Sequence, residues 1–184
     1  VGPSMRYKNI FQVKGNPLEA KNILIVMPYF EQDLIYSLGL IEGLFLDASV
    51  LIKFHPATDV RKYRAQLRKN IKVVDSDLYD LLKEAKIVIG SSTGALVEAV
   101  SLGIPVICID NKSMLTHSYL PLFGEGILWE RAEEGSEIIG LVHKLSSSLK
   151  HNSRQIQSVS EKFKSMFFCE PTEKQIIDSF ELDN

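Results

Sequence analysis

The chain has 184 residues, 45% of them hydrophobic and 24% charged, with a formal net charge of -2. This balance excludes a disordered or fibrous chain, and the length favours one domain with a single sizeable core. The charge leaves no broad basic field to hold a phosphate backbone and argues against a nucleic-acid partner.

The two cysteines, Cys108 and Cys169, fit neither a disulfide framework nor a zinc site, so a reducing cytoplasm is the expected compartment. No apolar run approaches the roughly 20 residues that cross a bilayer, and the N-terminus lacks the order of a signal peptide. The chain starts at Val1 and is expected to be a piece of something longer.

From residue 22 onward, short β-branched apolar runs alternate with longer helical patterns, the signature of βαβ units and a parallel sheet. Strands are expected at Ile23 to Met27, Val50 to Phe54, Ile71 to Val74, Ile87 to Gly90 and Val106 to Ile109, with an edge strand at Ile127 to Trp129. Between them, helical spacing predicts helices over 32–46, Asp59 to Lys69, Asp77 to Glu84, 95–102 and Glu137 to Leu149, and then over 154–167 and 172–181. Residues 111–126 read as a loop. The expected fold is therefore α/β, a three-layer Rossmann-like doubly wound parallel sheet. It divides into a crossing segment or tail at 1–21, a nucleotide-binding domain at 22–150 and C-terminal helices packed on it at 151–184.

Ligands of an open parallel sheet bind beyond the carboxyl ends of its strands, which draws attention to two places. In Lys53-Phe54-His55-Pro56 the proline ends the strand and leaves His55 at its lip. In Gly90-Ser91-Ser92-Thr93-Gly94 small hydroxyl residues join a strand directly to a helix, whose free N–H groups and positive dipole end suit a phosphate. Glu98, about one turn further in, is placed to reach a ribose hydroxyl. His55 is placed to donate to a phosphate oxygen as a nucleotide leaves, the one catalytic role assigned from the sequence.

These two pieces, followed by Leu102-Gly103-Ile104-Pro105-Val106-Ile107, resemble the C-terminal, donor-binding domain of GT-B-fold glycosyltransferases. The pairing of His-Pro with Ser-Ser-Thr is most similar to bacterial sialyltransferases, polysialyltransferases and CDP-glycerol glycerophosphotransferases. The resemblance implies a nucleotide-activated sugar or polyol phosphate as donor, cytidine-based by preference, with no cofactor and no metal. It puts His55, Ser91, Ser92 and Thr93 on the donor phosphate, with Gly94 allowing close approach and Glu98 on the ribose. The stretch Gly2-Pro3-Ser4-Met5-Arg6-Tyr7 resembles the interdomain crossing of such enzymes, which implies that an N-terminal acceptor domain carrying the catalytic base is missing.

Plainer readings stand beside these. His55 could cap a strand end, the serines could be an N-cap, and Glu98 could be a solvated helix residue. Arg61, Lys62, Arg64, Arg68 and Lys69 read first as a solvated helix face, with peripheral contact to an anionic membrane surface as the alternative. UDP-N-acetylglucosamine 2-epimerases share the domain but carry a Ser-Gly-Gly-type turn where this chain has Ser-Ser-Thr-Gly. A non-catalytic nucleotide-binding module is the third reading.

Overall fold

A computed structural model describes residues 4, 7–42, 48–69, 71–112 and 120–180. Six parallel strands form one sheet: β1 (Asn22–Val26), β2 (Ser49–Lys53), β3 (Ile71–Val73), β4 (Ala85–Gly90), β5 (Val106–Ile109) and β6 (Trp129–Ala132). They lie in the order β3-β2-β1-β4-β5-β6, so the direction of winding reverses between β1 and β4. The register there runs Ile23 beside Ile87 to Val26 beside Gly90.

Alternation along each strand divides the core in two. Leu24, Val26, Val88, Val106 and Cys108 face one side of the sheet, and Ile23, Ile25, Ile87, Ile89, Ile107 and Ile109 face the other. Because both faces of a parallel sheet must be covered, the central strands are near-continuous apolar runs, and helices supply the cover. On the first face lie α1 (Lys8–Gln12), α3 (Leu78–Lys83), α4 (Gly94–Ser101) and α6 (Ser153–Phe167), with Ile10, Leu82, Val100 and Phe163 fully buried. The second face is covered by α2 (Glu31–Glu42) through Leu34, Leu38 and Ile41, and by α5 (Gly135–His151) through Ile138, Val142 and Leu145. A last helix, α7 (Glu173–Phe180), closes the described chain. The doubly wound three-layer architecture expected from the sequence is the one observed.

Three expectations need correction. Asp59 to Lys69 is not one helix but two 3-10 turns, Val60–Lys62 and Arg64–Gln66, closed by i to i+3 bonds such as Tyr63 N–H to Val60 C=O at 3.1 Å. The segment is pinned at Tyr63, which is buried, stacks on Phe54 and donates its hydroxyl to Glu31 at 2.9 Å. With so short an apolar stripe, a continuous helix would gain little burial. The edge strand begins at Trp129, not Ile127, because the N–H groups of Ile127, Leu128 and Trp129 all turn onto the Gly124 carbonyl. Within the segment expected to be a crossing or tail, α1 forms and sends Ile10 into the core. Gly2, Pro3, Met5 and Arg6 of the crossing stretch, and residues 43–46 of the first expected helix, lie outside the described residues.

Candidate functional site

A cleft of about 580 Å³ opens where β1, β2 and β3 end. Its walls are Val26 and Met27 after β1, Lys53, Phe54, His55 and Pro56 after β2, and Asp75, Ser76, Asp77 and Leu78 between β3 and α3. Thr93, Gly94, Ala95 and Glu98 close it from the first turns of α4. The cleft therefore straddles the point where the winding reverses, the place an open α/β sheet offers to a ligand.

His55 is exposed but not loose. Phe54 before it is buried, the His55 carbonyl accepts the Thr58 N–H at 2.8 Å, and the ring packs edge-on against Tyr29 with centroids 4.8 Å apart. Its Nδ1 accepts the Ala57 N–H at 3.2 Å. A ring nitrogen that accepts leaves the proton on the other one, so Nε2–H is the donor the ring offers.

Helix α4 is capped by Thr93, which has extended backbone (φ -139°, ψ 140°) and whose hydroxyl accepts the Ala95 N–H at 3.4 Å. A tight turn, Thr93 N–H to Ser91 C=O at 2.7 Å, feeds the strand straight into the helix. Gly94 is exposed at the helix start, whereas Ala95 to Ser101 are all buried. The helix thus presents its positive end to the cleft while its body is enclosed by the protein.

Glu98 is only 3% exposed yet lines this cleft, together with an adjoining hollow of about 190 Å³ formed with Tyr7, Val97, Phe167 and Phe168. It is not a solvated helix residue. Four of the residues singled out in the sequence, His55, Thr93, Gly94 and Glu98, are brought together in one cleft. Ser92 is half-buried outside the lining, and Ser91, 1% exposed, turns inward and donates its hydroxyl to Asp33 Oδ2 at 2.7 Å.

Sequence reasoning gave no role to Lys53, the one lysine or arginine among the described residues of the lining. Its ammonium donates to the Ser76 carbonyl at 2.8 Å and ties the end of β2 to the loop after β3. Asp75 and Asp77 were also passed over; Asp77 caps α3 by accepting the Tyr79 N–H at 2.8 Å. Their signal was position alone, since Lys53 ends β2 and the two aspartates lie in the short link from β3 to α3. Among the described residues no group of three or more His, Cys, Asp or Glu is placed to hold a metal ion. No described helix is long and apolar enough to cross a membrane.

The strand order, with its reversal between β1 and β4, defines a Rossmann-like doubly wound α/β architecture. Among solved structures its fold is that of one half of GT-B glycosyltransferases. A glycosyltransferase from Rickettsia africae ESF-5 matches with a TM-score of 0.60 and 14% identity, over 98% of this chain and 54% of that one. The calicheamicin glycosyltransferase CalG4 matches at 0.57 and 15%, over 93% and 46%. SnogD from Streptomyces nogalater, also a glycosyltransferase, matches at 0.52 and 17%, over 80% and 43%. The chain thus spans about half the length of these enzymes. No family model and no curated protein sequence matches the chain.

Proposed function

We propose that this chain is the donor-nucleotide-binding half of a glycosyltransferase or glycerophosphotransferase of bacterial surface polysaccharide synthesis, with cytidine-activated donors preferred. The observation that carries this reading is the convergence of His55, the open N-terminus of α4 and the buried Glu98 on one cleft at the winding reversal. In glycosyl transfer an acceptor oxygen bonds to the anomeric carbon of the donor, and the bond from that carbon to the phosphate oxygen breaks with its electron pair on the phosphate. In glycerophosphate transfer the acceptor oxygen bonds to the outer phosphorus, and the anhydride P–O bond breaks with its electron pair on the departing nucleoside monophosphate. His55, Thr93 and the Gly94 N–H stabilise that charge, and it is the departing group, not the ground state, that gains most from them. Ser92 stands beside this turn as a further phosphate contact, and Glu98 takes a ribose hydroxyl.

The acceptor, and the base that removes its proton, belong to a second, N-terminal domain. Lys62, Arg64 and Lys69 are exposed and serve first as a solvated face, with peripheral contact to an anionic membrane surface as the alternative role.

The test is a calorimetric titration of CMP, CDP, UMP and UDP into the chain and into His55→Ala. Binding of a cytidine nucleotide that weakens about tenfold in the variant, the value of one charge-assisted hydrogen bond, supports the reading. Binding of UDP alone would point instead to a 2-epimerase-type enzyme, and binding of none of the four to a non-catalytic module.

A further inference from the structure

The buried acid Asp33 is used nowhere in the chemistry above, yet it joins three elements. It lies in the first turn of α2 and is fully buried, at 0% exposure. Its Oδ2 accepts the Ser91 hydroxyl at 2.7 Å from the end of β4, and its Oδ1 accepts the Asn111 amide at 3.5 Å from the end of β5. Ser91 and Asn111 are themselves 1% and 5% exposed. A carboxylate withdrawn from water is tolerated when its oxygens are bonded and a helix N-terminus faces it, and both conditions hold here. Because the Ser91 carbonyl also accepts the Thr93 N–H, the residue that grips Asp33 sets the turn from which α4 starts.

We infer that Asp33 is a positioning residue that fixes the strand-to-helix turn 91–94 and thereby the phosphate end of the cleft, so that Ser91 serves the site through Asp33 and does not itself touch the donor. What the turn is held for rests on the donor-binding reading above; that it is held does not.

Two readouts test this on Asp33→Asn, Asp33→Ala and Ser91→Ala. The first is hydrogen exchange of the amides in 91–95 against those of β1 and β2, which report whether the fold is intact. The second is the ratio of CMP to cytidine affinity, which isolates the phosphate. Asp33→Ala and Ser91→Ala are expected to speed exchange in 91–95 about tenfold and to lower the ratio by about as much, the effect of one lost buried hydrogen bond. Asp33→Asn, which keeps an oxygen for Ser91, recovers much of both.

The sign is informative. Removing a negative charge from this end of the sheet would by Coulomb attraction alone strengthen phosphate binding, so a weaker phosphate preference identifies loss of turn geometry. Wild-type exchange in 91–95 in Ser91→Ala, or a raised ratio in any of the three variants, overturns the inference. If Asp33→Ala fails to fold, Ser91→Ala decides. If the wild-type chain binds no nucleotide, the donor reading fails, while the exchange of 91–95 still decides whether Asp33 holds the turn.

Discussion

Two glycines only four residues apart, Gly90 and Gly94, meet opposite surroundings. A Cβ on Gly90 would stand 2.8 Å from the Val26 carbonyl oxygen, a backbone atom of the neighbouring strand that cannot give way, whereas one on Gly94 would meet nothing within 4 Å. Gly90→Ala is therefore expected to destabilise the fold by about 1–3 kcal/mol, as overpacking does. Gly94→Ala should leave stability unchanged or raise it by up to about 1 kcal/mol, since alanine is the better helix former, while placing a methyl group against a ligand phosphate. Urea unfolding checks the first half and CMP titration the second. Undiminished CMP affinity in Gly94→Ala would move the phosphate away from the α4 N-terminus. Glu98 carries the next prediction at this scale. If it takes a ribose hydroxyl, Glu98→Gln should narrow the difference in affinity between CMP and its deoxyribose analogue, and a loss shared equally by both would make its role one of packing.

At the scale of elements, α5 shows how a helix start is secured. Glu134 and Glu137 form a capping box, in which Glu137 accepts the N–H groups of Glu133 at 2.8 Å and Glu134 at 3.0 Å. Those backbone bonds, that to Glu134 foremost and that to Glu133 next, hold the Glu137 carboxyl below the ordinary value of 4.5, aided by Lys112 and opposed by desolvation. A carboxyl lowered on folding contributes stability above its unfolded value and loses the contribution as pH falls through the folded one. Glu137→Ala is thus expected to melt below the wild type at pH 7, with the gap closing as pH drops below 4.5. Thermal scans of both proteins between pH 7 and pH 3 check this; a gap that does not change with pH would assign the loss to helix propensity.

Elements with a sustained period were legible in the sequence, and those decided by a single distant contact were not. The central strands β1, β2, β4 and β5 read correctly because each carries a β-branched apolar run buried on both faces. The stretch 59–69 did not, because Tyr63 reaching Glu31 across 32 residues decides its course. Helix α1 was missed because five residues with one buried side chain leave no periodic signal. At the candidate cleft, the places of His55, Thr93 and Gly94 were legible from strand-end position and that of Glu98 from its spacing one helical turn further in, whereas the inward turn of Ser91 was not. A trace of it exists: Asp33 and Ser37 are polar residues four apart on the side of α2 that carries Leu34, Leu38 and Ile41, where apolar ones are expected.

For the whole molecule, the question is whether the C-terminal helices belong to the folding unit. Helix α4 is sandwiched between the sheet and α6, with Phe163 fully buried and Ile156 and Phe168 at 8% and 9% exposure. Tyr7, just before α1, meets Phe168 edge-on at 4.9 Å, so the two ends of the described chain close over the same face. Removing α6 and α7 would expose the outer side of the helix whose N-terminus lines the cleft. Phe163→Ala alone is expected to cost about 3–5 kcal/mol, a large share of the roughly 5–15 kcal/mol that holds a domain together. It should lower the urea midpoint with little change in slope. A chain ended after His151 should lose its cooperative transition and, with it, any nucleotide binding. Were that shortened chain to unfold at the full-length midpoint, α6 would be an appendage and the support for α4 would have to come from the sheet alone. Loss of both cooperativity and binding would make residues 151–180 part of the machinery that presents α4 to its ligand.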